Sequence, residues 1–212
     1  MKIEFKNVLV LAPHTDDGEL GAGGIISKLV AEGSSVYYVA FSACEESVPV
    51  GFQKDVLRTE VFEATAQLGL IKENVRVLNF RVRHFPEKRQ EILESLISIR
   101  KECDFDLVLL PSTQDIHQDH KTISEEGIRA FKSTNIWGYE LNWNQLQTSN
   151  TGFIVLDESH VASKVNAIKM YKSQYGRGYC KDDYIISLAK IRGAQIGHGY
   201  AESFEVIRTV IR

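Results

Sequence analysis

Two uninterrupted apolar runs, residues 8–13 (VLVLAP) and 107–111 (LVLLP), set tight limits on the fold of this chain. Neither run alternates with polar residues, which is typical of strands buried on both faces of a parallel sheet. Segments with a helical spacing of apolar residues separate these and other strand-like segments. Strand patterns cover residues 7–13, 35–42, 74–80, 106–111, 136–140, 152–156 and 204–211, and helix patterns cover residues 19–32, 54–69, 87–102, 119–132, 158–174 and 181–192.

This alternation of strand and helix patterns predicts the fold class. Successive βα units build a parallel sheet with helices on both faces. We therefore expect an α/β fold with a Rossmann-like, doubly wound and mainly parallel sheet. Because the chain has 212 residues and neither repeats nor obvious linkers, we expect a single domain over residues 1–212.

Composition narrows the expected partners and location. The formal net charge is -3 and lysine and arginine do not cluster, so we expect no nucleic-acid partner. No segment approaches the ~20 apolar residues that cross a bilayer, and residues 1–6 lack the apolar centre of a signal peptide. The three cysteines form no paired motif, so we expect a reducing, cytoplasmic location. The sequence leaves open whether the chain forms a homo-oligomer.

Histidine and aspartate follow both apolar runs. The two clusters are His14, Asp16 and Asp17 after the first run, and His117, Asp119 and His120 after the second. Helix N-caps offer a competing explanation, but a cap accounts for one carboxylate and not for two beside a histidine. In doubly wound sheets, ligands bind at the carboxyl ends of the strands. We therefore predict that both clusters meet in one site at this edge.

The residue types in these clusters predict a metal site. Two histidines and one carboxylate leave an open coordination position, as in hydrolytic zinc sites. The same ligands form the facial triad of non-haem Fe(II) oxygenases, so ligand types alone do not separate the two reactions. An additional carboxylate beside a metal-activated water can act as a general base, which favours a hydrolase.

The glycine-rich segment Gly21-Ala22-Gly23-Gly24 invites a comparison with dinucleotide-binding loops. It does not match the GxGxxG pattern, because Ile26 occupies the position of the third glycine. The acidic residues just before it would also repel a pyrophosphate. Close packing of the helix is the use that we expect for these glycines.

Several segments of the chain together resemble those of a known family. They are Pro13–Gly24 (PHTDDGELGAGG), Arg58–Glu60 (RTE), His117–His120 (HQDH), Tyr171–Gln174 (YKSQ), Arg192–Gly193 and Tyr200–Phe204 (YAESF). In this order they resemble the PIG-L/LmbE-like de-N-acetylases, which are metal-dependent enzymes that remove acetyl groups from N-acetylated amino sugars. Thr15 and Gly18 depart from the usual first motif, where proline and glutamate are found.

The resemblance implies the metal ligands and the substrate. His14, Asp17 and His120 would bind the metal, with Zn²⁺ expected and Fe²⁺ as the alternative. The substrate would be an N-acetylated amino sugar or sugar conjugate. The sequence leaves open whether that sugar is nucleotide-linked, lipid-linked, thiol-conjugated or free.

The resemblance also implies the catalytic groups. Asp16 would be the general base for the attacking water. A protonated His117 would stabilise the oxyanion, and Asp119 would orient His117. The intact Asp16 and His117 argue against a third hypothesis, a non-catalytic sugar-phosphate-binding relative.

Substrate contacts are harder to assign from the sequence. Arg58 and Arg192 are candidates because arginine binds phosphate and sugar hydroxyls, and a solvated helix face is the alternative. Tyr200, Tyr139 and Trp143 could stack on a sugar ring, and packing is the alternative for each. The loop over residues 139–150 is expected to influence substrate choice.

Overall fold

The computed structural model describes residues 5–211, which form one seven-stranded sheet flanked by six helices. The strands are β1 (Asn7–His14), β2 (Ser35–Ser42), β3 (Val75–Val77), β4 (Leu107–Pro111), β5 (Asn135–Tyr139), β6 (Gly152–Leu156) and β7 (Tyr200–Arg208). The helices are α1 (Asp17–Ala31), α2 (Val56–Gln67), α3 (Arg89–Arg100), α4 (Gln118–Ala130), α5 (Glu158–Met170) and α6 (Asp182–Gln195).

The strand order is β3-β2-β1-β4-β5-β7-β6. The first five strands pair in parallel, and β7 runs antiparallel to both β5 and β6. This mainly parallel α/β sheet confirms the predicted fold class. None of the helices among the described residues combines the length and apolar character needed to cross a bilayer.

The helices cover both faces of the sheet. Val8 and Val10 of β1 pack into a core with α1, α2, α5 and α6, whereas Leu9 and Leu11 pack into a second core with α3 and α4. Because alternate side chains of a strand point to opposite faces, both sets must be apolar in a sheet covered on both sides. This explains the uninterrupted apolar run at residues 8–13.

The helix predicted over 158–174 ends earlier, at Met170, and a short 3₁₀ turn over Lys172–Gln174 follows it. The Tyr171 hydroxyl lies within hydrogen-bond distance of both the Thr15 carbonyl, at 2.6 Å, and the Glu19 carboxyl, at 2.8 Å. The Ser173 hydroxyl donates to Glu60 of α2 at 2.6 Å. These tertiary hydrogen bonds redirect the chain, and periodicity along one segment does not reveal them.

The glycines of α1 allow close packing, as the sequence suggested. A Cβ atom on Gly21 would overlap the ring of Tyr139. Tyr139 is fully buried and its hydroxyl donates to the Leu11 carbonyl at 2.9 Å, so it serves packing and does not stack on a sugar. A Cβ on Gly24 would lie 3.0 Å from the carboxyl of Glu202, which accepts the Gly24 N–H at 2.8 Å.

We expect Gly21→Ala to lower the free energy of unfolding by about 1–3 kcal/mol, because the added methyl group displaces the Tyr139 ring. Urea denaturation followed by circular dichroism measures this change. Gly199→Ala is the matched control, because a Cβ there meets no atom within 4 Å. Its effect should stay within about 0.5 kcal/mol. Equal stability of the two variants would contradict the packing role of Gly21.

Candidate metal centre

The two histidine–aspartate clusters meet because β1 and β4 are hydrogen-bonded neighbours. Their parallel register pairs Val8 with Leu107 and Val10 with Leu109. Both strands therefore reach the same edge of the sheet, where β1 ends at His14 and α4 begins directly after His117. The structure thus brings together the six residues that the sequence singled out at this edge.

Three buried side chains form a compact triangle of ligand atoms. His14 Nδ1 lies 3.1 Å from Asp17 Oδ2, and His120 Nε2 lies 3.2 Å from Asp17 Oδ2 and 3.2 Å from His14 Nδ1. Ligands at 2.0–2.1 Å from a tetrahedral ion stand about 3.3 Å apart. The triangle therefore has the size and donor types that fit a divalent transition-metal ion.

Carboxylates hold the remaining nitrogens of both histidines. His14 Nε2 lies 3.0 Å from Asp119 Oδ2, and His120 Nδ1 lies 2.8 Å from Asp115 Oδ2. Partners of this kind fix the tautomer and ring orientation of metal-binding histidines. They leave His14 Nδ1 and His120 Nε2 available to a metal ion.

Asp119 has a different partner from the one that the sequence predicted. Its carboxylate contacts His14 and accepts the backbone N–H groups of Arg83 at 2.6 Å and Phe85 at 3.2 Å. It was expected to orient His117. The Arg83 and Phe85 amides turn it towards β1 instead, and so it positions His14.

His117 differs from the expected protonated imidazole. Its Nδ1 accepts the backbone N–H of Asp119 at 3.2 Å, which leaves the ring proton on Nε2. Burial, together with the nearby His120 and His14 rings, lowers the pKa of His117 to about 4. His117 is therefore a neutral N–H donor, stacked on His120 with ring centroids 4.4 Å apart.

The two aspartates of the first cluster are in different electrostatic environments. Burial and the neighbouring Asp17 charge together raise the pKa of Asp16 to about 6, against the opposing effect of Arg177 and His14. Burial would also raise the pKa of Asp17, but His120 and His14 hold it well below its usual range. Asp17 is thus suited to ligation and Asp16 to proton transfer.

A cleft of about 300 Å³ opens onto this centre. Its lining includes Asp16, Ser47, Arg83, His117, Trp143, Gln174, Arg177 and Tyr179. The rings of Trp143 and Tyr179 stack with centroids 3.9 Å apart and form part of the wall. Sequence reasoning missed Ser47, Arg83, Arg177 and Tyr179, which come from three separate segments with no recognisable spacing.

Three predicted substrate contacts lie outside this cleft. Arg58 donates to Glu45 at 2.9 Å and to Asn79 at 2.6 Å in a neighbouring groove. Arg192 is buried and donates twice to the Glu140 carboxylate, at 2.7 and 2.6 Å. Tyr200 packs against a small apolar cluster under β6 and α6. None of the three is among the residues that line the cleft, and each side chain makes packing or pairing contacts elsewhere.

A comparison with known protein families identifies a match that includes all the residues of the candidate metal centre. The PIG-L family, described as GlcNAc-PI de-N-acetylase, matches residues 9–131, which is more than half of the chain. The chain belongs to the PIG-L family. This match confirms the family resemblance of the sequence motifs. It favours N-deacetylation over the two alternative functions, a non-haem Fe(II) oxygenase and a non-catalytic sugar-phosphate binder.

Individual relatives cover almost the whole chain. A diacetylchitobiose deacetylase of Thermococcus kodakarensis is 24% identical over 226 residues, spanning 96% of this chain and 84% of the relative. The N,N'-diacetylchitobiose deacetylase of Pyrococcus horikoshii superposes with a TM-score of 0.79 at 23% identity, covering 95% of this chain and 83% of that one. A 4-carboxy-2-hydroxymuconate hydratase of Pseudomonas putida also gives 0.79, at 19% identity and 98% coverage of both chains. These structures share the fold.

We expect Asp119→Asn to weaken metal binding about 10–100-fold, because His14 loses the carboxylate that orients its ring. Competition with a chromophoric chelator measures the affinity. Asp106→Asn is the matched control, since Asp106 also accepts two backbone N–H groups, at 2.8 and 2.9 Å, but lies at the amino end of β4. An affinity that drops equally in both variants would indicate a general structural effect.

Proposed function

We propose that this protein is a metal-dependent hydrolase that removes the acetyl group from an N-acetylated amino sugar or sugar conjugate. The reaction releases acetate and a free amine. The observation that carries the proposal is the triangle of His14, Asp17 and His120, with Asp16 and His117 lining the same cleft. Membership of the PIG-L family supports the same reaction.

His14, Asp17 and His120 would hold the metal, for which we propose Zn²⁺, with Fe²⁺ as the second candidate. The donor set of two imidazoles and one carboxylate suits both ions. A bound divalent ion would polarise the acetamide carbonyl and acidify water. An amide is a poor electrophile, so this chemistry addresses the difficult part of the reaction.

Asp16 is the proposed general base. Its half-buried carboxyl group lines the cleft beside the ligand Asp17, in reach of a water that enters the centre. After it takes a proton from this water, Asp16 carries the proton that the leaving amine requires. The neutral His117 carries only the proton on Nε2, so Asp16 is the better candidate for this second transfer.

His117 is the proposed oxyanion donor. The Asp119 N–H fixes the tautomer, and the resulting Nε2–H can donate a hydrogen bond to the developing negative charge. A neutral donor suffices for this role. Asp119 acts indirectly, because its carboxylate orients His14.

The cleft wall supports the predicted influence of residues 139–150 on substrate choice. Trp143 lies in this loop and lines the cleft together with Tyr179. We propose that residues 1–212 act as one catalytic domain, because the cleft draws on segments from His14 to Tyr179. We propose a reducing, cytoplasmic location, since the three cysteines form no paired motif in the sequence.

Acetate release from a panel of N-acetylglucosamine derivatives tests the proposal. We expect release to require the metal, to stop after chelation and to return with stoichiometric Zn²⁺ or anaerobic Fe²⁺. Asp16→Asn should lower the rate by at least about 10²-fold while retaining the metal, because the general base is lost.

Asp104→Asn is the control for this substitution, since Asp104 is exposed in the loop before β4. Metal-dependent consumption of O₂ without acetate release would instead support the oxygenase. Asp16→Asn activity equal to that of the unsubstituted protein would refute the proposed base.

A further inference from the structure

Arginines in this protein mostly have a carboxylate partner. Among residues 5–211, ion pairs hold Arg58, Arg76, Arg81, Arg89, Arg129 and Arg192. Arg100 and Arg208 donate to backbone carbonyls. In this described part of the chain, the two others, Arg83 and Arg177, have hydroxyl partners and no ion pair within 4.0 Å. Both of them line the cleft that opens onto the candidate metal centre.

Arg83 is held in place by a constrained backbone. Its φ angle is 70°, in the left-handed region that non-glycine residues rarely adopt. The backbone N–H donates to Asp119 at 2.6 Å, and the carbonyl accepts from the Gln118 side chain at 3.0 Å. Its guanidinium donates to the Ser47 hydroxyl at 2.6 Å. The side chain is therefore presented at the cleft by a turn that is tied to the metal centre.

Arg177 lies on the wall built by the stacked aromatic rings. Its guanidinium lies 5.7 Å from the centre of the Tyr179 ring, donates to the hydroxyl of that residue, and acts electrostatically on Asp16. Tyr179 in turn stacks on Trp143.

The charges of the lining determine what these two groups can bind. Asp16 and Asp17 are the carboxylates that line the cleft, and neither lies within ion-pair distance of the Arg83 or Arg177 guanidinium. The donors of both guanidiniums therefore remain available to an anionic group that enters the cleft. Arginine presents a planar set of donors that matches the oxygens of phosphate and carboxylate groups.

We propose that Arg83 and Arg177 bind an oxyanionic substituent, a phosphate or a carboxylate, on the amino-sugar substrate. This inference rests on the proposed function, since it names the class of substrate for that cleft. A cleft of about 300 Å³ accommodates a monosaccharide with such a substituent. Neutral N-acetylated sugars would lack the contact and would bind more weakly.

A set of matched substrates tests the inference. N-acetylglucosamine 1-phosphate and N-acetylmuramic acid carry a phosphate and a carboxylate, and methyl N-acetylglucosaminide is neutral. We expect kcat/KM of the metal-loaded protein to be at least about tenfold higher for one anionic substrate. The ratio of anionic to neutral kcat/KM should fall about tenfold in Arg177→Gln and Arg83→Gln, and less in Arg177→Lys, which keeps the charge.

Arg81→Gln is the control, since Arg81 is equally exposed on the same segment as Arg83 but pairs with Glu46 outside the metal cleft. The ratio of anionic to neutral kcat/KM should not change in Arg81→Gln. Equal turnover of neutral and anionic substrates would overturn the inference and leave the proposed function standing. Selectivity that survives in both arginine variants would also overturn it, because the metal alone would then attract the anion.

Calorimetric binding of glucosamine 1-phosphate and glucosamine separates the inference from the reaction, since neither ligand is turned over. Tighter binding of the phosphate that depends on Arg177, with no deacetylation of any substrate, would support the inference and refute the proposed function. Equal binding of both ligands, with no deacetylation, would refute both.

Discussion

Parallel hydrogen bonding between β1 and β4 is the contact on which the candidate centre depends. The chain adds β2 and β3 on one side of β1, and then β4 and β5 on the other. The two strands therefore border the crevice where the winding direction reverses, and such crevices bind ligands in doubly wound sheets. A register shift between these two strands would separate His14 from His120.

The second half of the chain supports the centre through buried contacts with α1. Glu202 accepts the N–H of Ile25 at 2.7 Å and pairs with Lys164 at 2.7 Å, and both charged groups are buried. The Tyr38 and Tyr171 hydroxyls each lie within hydrogen-bond distance of the Glu19 carboxyl and of the Thr15 carbonyl. These contacts fix the turn between His14 and Asp17. They explain why the late YKSQ and YAESF segments accompany the metal motifs although neither supplies a ligand.

The fold alone does not decide the reaction. Two deacetylases of sugars and a hydratase of a muconate are all similar to this chain, and the solved structures of one deacetylase and the hydratase superpose on it equally well. The chemistry therefore depends on side chains at the sheet edge and on the loops above them. In this protein those loops contribute a stacked Trp143–Tyr179 wall and two arginines without ion pairs.

The sequence by itself determined the order and type of the main elements and the edge at which His14, Asp17 and His120 meet. It did so because burial requires apolar strands and because parallel strands end at a common edge. Only the tertiary structure decided which groups are contacted by the residues beside His14, Asp17 and His120. Asp119 follows His117 closely in sequence, yet the amides of Arg83 and Phe85 turn its carboxylate towards His14. Arg192 is of a residue type that suits substrate binding, but its guanidinium pairs with Glu140. Local spacing in the sequence does not reveal a partner that is 52 residues away.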